Sequence, residues 1–170
     1  VIGGSLGAKT INESIEAGLK LLINSGYQVL WQTGKPYAEK AANAINSLKT
    51  PYAKSFDFIY EMDLAYALAD VVVSRAGALS VSELCLVAKP AILVPFPYAS
   101  EDHQTKNAMS LVEQNAALLI KDKDAPEELV QTALRLLQDT EKQQTLSQNI
   151  KKLGKPNAAK EIAETVLGLI

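Results

Sequence analysis

The 170-residue chain is poor in the residues that most often announce chemistry, with one cysteine, one histidine and two arginines. A single Cys85 excludes an internal disulfide and fits a reducing compartment. One histidine and one cysteine do not make a zinc ligand set, so no metal is expected. No block of five or more like charges occurs and the formal net charge is −2, so nothing marks a nucleic-acid surface. No apolar run approaches the roughly 18 residues that span a bilayer, and no signal peptide is visible. Internal repeats and low-complexity segments are also missing. There is no initial methionine: Val1-Ile2 reads as the stump of a strand directly before a glycine turn, and the expectation is a piece cut from a longer protein.

What the chain does have is a hydrophobic fraction of 48%, enough for one well-buried domain. Apolar or β-rich runs at 1–2, 28–32, 53–59, 71–74, 91–95 and 117–120 alternate with helical patterns. In the first helical segment Ile11, Ile15, Leu19 and Leu22 fall on one face. Pro36 suits the first turn of the next helix. Helical spacing follows at 63–69, 79–88, 104–115 and 126–139, and the tail from Glu141 reads as two more helices broken at 153–157. Alternation of this kind predicts βαβ units, a parallel sheet and helices on both faces. The runs "VVVS" and "AILVPF" are continuously apolar, as in strands buried on both sides. The expected fold is α/β: a Rossmann-like, doubly wound sheet of about six strands with its ligand beyond the carboxyl ends.

Three polar loops follow strand ends and should share that edge. "GGSLGAKT", residues 3–10, offers close backbone approach and a free helix N-terminus, or is simply a tight turn. It matches neither G-x-G-x-x-G nor a P-loop closed by G-K-[ST]. In "SRAGALSVSE" the N–H groups of Leu79 and Ser80, with the Ser80 hydroxyl, suit a diphosphate. Ser80 and Glu83 also spell S-x-x-E, the capping box. Glu83 can therefore fold back on the helix or accept from two ribose hydroxyls. Arg75, beside this turn, has a surface ion pair as its plain alternative. The third loop, "PFPYASEDHQTKNA", holds His103, Gln104, Lys106 and Asn107, side chains able to read sugar hydroxyls. Its Glu101 and Asp102 also suit a helix N-terminus, and His103 an exposed surface.

Together and in this order, "GGSLGAKTIN", "WQTGK", "FIYEM", "ADVVVSRAGALSVSEL" and "KPAILVPFPYASEDHQTKNA" resemble the C-terminal half of the MurG family, across nearly the whole chain. These are bacterial transferases that move N-acetylglucosamine (GlcNAc) from UDP-GlcNAc to lipid I, giving lipid II in peptidoglycan biosynthesis. The resemblance implies a GT-B fold, with residues 1–170 as the donor-binding domain. It assigns the lipid acceptor and the catalytic base to an N-terminal domain absent from this chain. Ser5 would face the diphosphate, Ile59 would hold uracil through its backbone, and Arg75 would lie near the uracil end. Gly77, Ala78, Leu79 and Ser80 would line the phosphates and Glu83 would take the ribose hydroxyls. His103 and Gln104 would touch GlcNAc, supported by Asn107. No cofactor is implied. The whole protein would be a hexosyltransferase bound peripherally at the cytoplasmic face of the inner membrane, with UDP-GlcNAc and lipid I as partners and no nucleic acid. Leu6 departs from the family's usual glutamine and so removes a polar contact. Lys9 for arginine, Ser80 for threonine and Tyr98 for histidine are milder.

Three rivals accompany this reading. One is another sugar-nucleotide enzyme of the same fold, such as a UDP-GlcNAc 2-epimerase or a lipid galactosyltransferase, against which "DHQTKNA" speaks. The second is a non-catalytic nucleotide-sugar module that needs a partner chain. The third, an NAD-dependent dehydrogenase domain, needs an acid closing the second strand. That strand ends "WQTGK", with no acid.

Overall fold

The computed structural model describes residues 1–169. Its five named strands are β1 (Val29–Gln32), β2 (Ala53–Phe56), β3 (Val72–Ser74), β4 (Ala91–Leu93) and β5 (Leu118–Leu119). All pairings are parallel. Ile2 closes the gap between the two halves by bridging Gln32 on one side and Ser74 on the other, both in parallel. Its N–H donates to the Val73 carbonyl at 2.8 Å, and the Gln32 N–H donates to the Val1 carbonyl at 2.9 Å. The sheet order is therefore β2-β1-(Ile2)-β3-β4-β5, the doubly wound order expected from the alternating pattern. The point at which this order reverses lies beside Ile2, between β1 and β3.

The described residues form eight α-helices: α1 (Lys9–Asn24), α2 (Ala38–Leu48), α3 (Met62–Leu68), α4 (Ala78–Val87), α5 (His103–Val112), α6 (Ala125–Gln138), α7 (Thr140–Lys151) and α8 (Ala158–Leu167). Two apolar clusters cover its two faces. One joins α1 and α6 to Val29, Trp31, Val73 and Ile92. The other joins α4 and α5 to Val72, Ala91 and Leu93. Neighbouring residues of β3 and β4 thus enter opposite clusters, which is why those runs are apolar without alternation. The α1 stripe Ile11, Ile15, Leu19 and Leu22 is buried throughout. At about 1.5–3 kcal/mol per buried aliphatic side chain, it supplies the largest share of what holds α1 down. None of the described helices is long and apolar enough to cross a membrane. In α8 Ile162 and Val166 are exposed.

Several boundaries differ from the sequence expectation. The strand expected at 91–95 has its named part end at Leu93; Val94 still donates to the Ser74 carbonyl, and Pro95, with no N–H, ends the ladder. The strand expected at 53–59 stops at Phe56, where Phe58 N–H turns to the Asp57 carboxylate. Pro36 lies in a three-ten turn, Lys35–Tyr37, ahead of α2. The helix expected to reach 115 ends at Val112, and Asn115 takes the left-handed conformation (φ 52°).

Close packing of α1 on α6 depends on Gly18. A Cβ there would lie 2.4 Å from Val130 Cγ2 and 2.9 Å from Val130 Cβ. Valine is stiff at χ1 and cannot swing clear. Gly18→Ala gains about 1 kcal/mol of helix propensity against an overpacking cost of about 1–3 kcal/mol. We expect a net loss of about 1 kcal/mol by urea denaturation. In a Val130→Ala background the same substitution should become stabilising; equal losses in both backgrounds would clear Val130 of responsibility.

Candidate functional site

The loops after Ile2, β3 and β4 meet at the carboxyl edge around a cleft of about 510 Å³. Gly3, Gly4, Gly7, Thr10, Arg75, Gly77, Ser80, Phe96 and Gln104 are among its walls. A larger space of about 590 Å³ lies against Gln28, Val29 and Val71 at the amino ends of the strands and also reaches Ile59 and Tyr66.

The first loop is set by direct contact between two main chains. Gly7 (φ 78°) lies so close to the loop after β1 that a Cβ would fall 1.9 Å from the Thr33 carbonyl oxygen. Gly34 (φ 73°) would likewise place a Cβ 2.4 Å from the Gly7 nitrogen. Neither position admits a side chain. Polar side chains then lock the contact. Asn12 donates through Nδ2 to the Thr33 carbonyl at 2.8 Å and accepts from Trp31 Nε1 at 2.9 Å. Gln32, only 2% exposed, donates through Nε2 to the Gly4 carbonyl at 3.0 Å. Its Oε1 accepts from the Ile59 N–H at 2.9 Å. Gln32 thereby ties the glycine loop to the "FIYEM" segment.

Electrostatics separates the helices that face the cleft from the rest. α2, α3, α6, α7 and α8 each place an acid in the first turn, which their N-terminal dipole favours. α1, α4 and α5 have none. α1 and α4 also lack any side-chain cap, and Ala8 and Gly77 stand at their N-caps. Their first bonded amides are Asn12 and Val81, leaving free the N–H groups of Lys9, Thr10 and Ile11 and of Ala78, Leu79 and Ser80. Two open helix N-termini on one cleft have the donors and the dipole direction that an anion needs.

Of the expected site residues, Gly77 and Ser80 line the cleft, and Ala78 and Leu79 open α4 beside them. The capping-box alternative is not realised: Ser80 is the third residue of α4, not its cap, and Glu83 accepts instead from the Tyr66 hydroxyl at 3.0 Å. Ser5 sits exposed at the tip of the glycine turn, closed by the Gly7 N–H to Gly4 carbonyl bond. The Ile59 N–H is engaged by Gln32, so its carbonyl is the group left to offer.

Arg75 is turned away from Ile59, toward β4 and β5. Its Nη1 donates to the carbonyls of Val94 and Pro95 at 3.0 and 3.1 Å. It also pairs with Asp122, and its guanidinium stacks 5.5 Å over Phe96. Asp122 accepts through its other oxygen from Thr10 Oγ1 at 2.9 Å. The plain alternative of an ion pair is thus realised, but half-sunk in the cleft wall and joined to α1. The partners of Arg75 all lie on the β4 and β5 side.

In the third loop, Gln104 Oε1 accepts from the N–H groups of Phe96 (3.0 Å) and Ala76 (3.3 Å). Its amide NH2 remains without a partner among the described residues. Asn107 donates to the Ala76 carbonyl at 3.1 Å. Gln104 and Asn107 together hold Ala76 by both its polar groups and fix the turn into α4. His103 is exposed, and its Nδ1 donates to the Ser100 carbonyl at 2.7 Å. Gln32, Tyr66 and Asp122 went unread in the sequence. Only Gln32 had a signal there, as a polar residue closing a buried strand in "WQTGK".

A solved structure described as MurG of Acinetobacter baumannii superposes with a TM-score of 0.86 at 28% identity, covering 98% of this chain and 48% of that one. Two curated relatives are each named UDP-N-acetylglucosamine–N-acetylmuramyl-(pentapeptide) pyrophosphoryl-undecaprenol N-acetylglucosamine transferase. The one from Cytophaga hutchinsonii is 54% identical over all of this chain and 45% of its own length. The one from Parabacteroides distasonis is 48% identical over all of this chain and 46% of its own. The chain thus spans about half the length of the relatives it matches. The model of the glycosyltransferase family 28 C-terminal domain matches residues 1–162, and the chain belongs to that family.

Proposed function

We propose that this chain is the donor-binding domain of an inverting transferase that moves GlcNAc from UDP-GlcNAc to lipid I, forming lipid II. The observation that carries this is the pair of acid-free, uncapped helix N-termini, α1 and α4, opening on one glycine-lined cleft with Glu83 one turn along α4. The diphosphate lies between those termini, against the N–H groups of Ala78, Leu79 and Ser80, the Ser80 hydroxyl, and the turn that holds Gly4 and Ser5. Glu83 takes the ribose hydroxyls, since a carboxylate has acceptor sites for both. Uracil reads against the Ile59 carbonyl. The free amide of Gln104 and the His103 ring face the sugar, with Asn107 bracing the turn below them.

In the reaction, negative charge grows on UDP as the bond to the anomeric carbon breaks. Main-chain donors and helix termini, already oriented, stabilise that charge without reorganising. The acceptor site and the base belong to the other half of the whole protein, which would act as a peripheral enzyme at the cytoplasmic face of the inner membrane. The relatives' names and the half-length match support this division.

Calorimetric titration of the 170-residue chain should show UDP-GlcNAc binding and none of NAD; tight NAD binding with no UDP response would sink the proposal. Glu83→Ala should weaken UDP-GlcNAc by about tenfold, the worth of hydrogen bonds to a charged group. Because the buried Tyr66 hydroxyl then loses its acceptor, the same substitution should also cost about 1–3 kcal/mol in urea unfolding. The isolated chain should not transfer GlcNAc to a lipid-I analogue, and measurable turnover would refute the division between halves. Arg75 serves as a brace: Arg75→Lys cannot reproduce two carbonyl contacts, the ion pair and the stack at once. It should cost about 1–3 kcal/mol in urea unfolding, while a fully folded sample keeps most of its UDP-GlcNAc affinity.

A further inference from the structure

Glu83 follows Ser80 by three residues, so the two share a face of α4. Its carboxylate has one partner among the described residues: Oε2 accepts from the Tyr66 hydroxyl at 3.0 Å, and Oε1 accepts from none. Tyr66 lies on α3 and is 5% exposed. Its ring is packed in the apolar cluster with Val72, Leu84 and Cys85, so the hydroxyl cannot move to follow a mobile partner. Burial, then the charge of Glu83, pushes the phenol above its ordinary range. It therefore stays a donor at neutral pH.

A glutamate on the exposed side of a helix has three rotatable bonds and loses that freedom when it binds a ligand. Here a rigid donor has already removed much of it. The hydrogen bond uses one acceptor position of about four. The remainder have no partner among the described residues and are enough for two neighbouring hydroxyls. Tyr66 also sits seven residues after Ile59, on the helix that follows the "FIYEM" segment directly. The group that fixes the carboxylate is thus carried by the element leading from the base-reading segment.

We propose that Tyr66 is a positioning residue that presets Glu83 for a vicinal diol and so sets the preference of this site for ribose over a sugar lacking both hydroxyls. This rests on the placement of Glu83 at the ribose proposed above.

The test titrates the 170-residue chain with UDP and with 2′,3′-dideoxy-UDP. Wild type should prefer UDP by at least about tenfold. Tyr66→Phe keeps the ring and its packing and removes only the oxygen. It should weaken UDP about fivefold and leave dideoxy-UDP unchanged, so the preference shrinks. Glu83→Ala should abolish the preference, and adding Tyr66→Phe to it should change nothing further, the mark of two residues acting as one unit. An equal loss for both nucleotides in Tyr66→Phe, or no loss for either, overturns the positioning role while Glu83 keeps its own. A wild type that binds UDP and dideoxy-UDP equally overturns both assignments.

Discussion

The site depends on one steric fact: two stretches of main chain touch at Gly7 and Thr33-Gly34. Every other feature of the carboxyl edge is arranged around that contact. Asn12 and Gln32 are buried polar side chains, and each spends its hydrogen bonds on a carbonyl or amide at or beside it. Buried polar groups are costly unless paired, so these two hold only while the loops stay in register. Trp31, completely buried beneath them, has its indole N–H satisfied by Asn12. Moving the glycine loop by an ångström would break all of these together, which makes the first loop a fixed wall of the cleft and not a flexible flap.

A second brace works on the other side. Arg75 gathers the end of β3, the turn after β4 and, through Asp122, the segment after β5. Asp122 passes the connection to Thr10 at the start of α1. The only guanidinium near the cleft is therefore neutralised and spent on architecture. Positive potential comes from the helix termini instead, with exposed Lys9 beside them. This division fits the lack of an acid in the first turns of α1 and α4, although most other described helices carry one.

The fold was largely legible in the sequence because it rests on local regularities. The stripe Ile11, Ile15, Leu19 and Leu22 has helical period, and the apolar runs of β3 and β4 are those of strands covered on both faces. Six extended segments did become six parallel partners, although the first contributes a single bridging residue. The polar edge was less legible. Ser80 and Glu83 have the spacing of a helix cap, but Gly77 takes the cap position and Tyr66, 17 residues away, claims the carboxylate. Arg75 finds Asp122 across 47 residues, and Gln32 finds Ile59 across 27. Such partners are chosen by the closed sheet, which local spacing does not encode. Family resemblance supplied roles for Glu83 and Gln104 that spacing could not. It said nothing of which side chains hold the loops in place.

The free amides of Ala78, Leu79 and Ser80 have a consequence for how this site can change over generations. A donor that belongs to the peptide bond is not encoded by any one codon. Nineteen of the twenty residues supply the same N–H, and only proline withholds it. Serine in place of threonine at position 80, or a bulky leucine at 79, alters the lining but leaves the anion cradle intact. Mutation reaches the cradle only by disturbing the turn that aims it, through Gly77, Gln104 or Asn107. In the proposed site, recognition by these amides rests on loop shape, and substitution reaches it through the braces more than through the binding groups themselves.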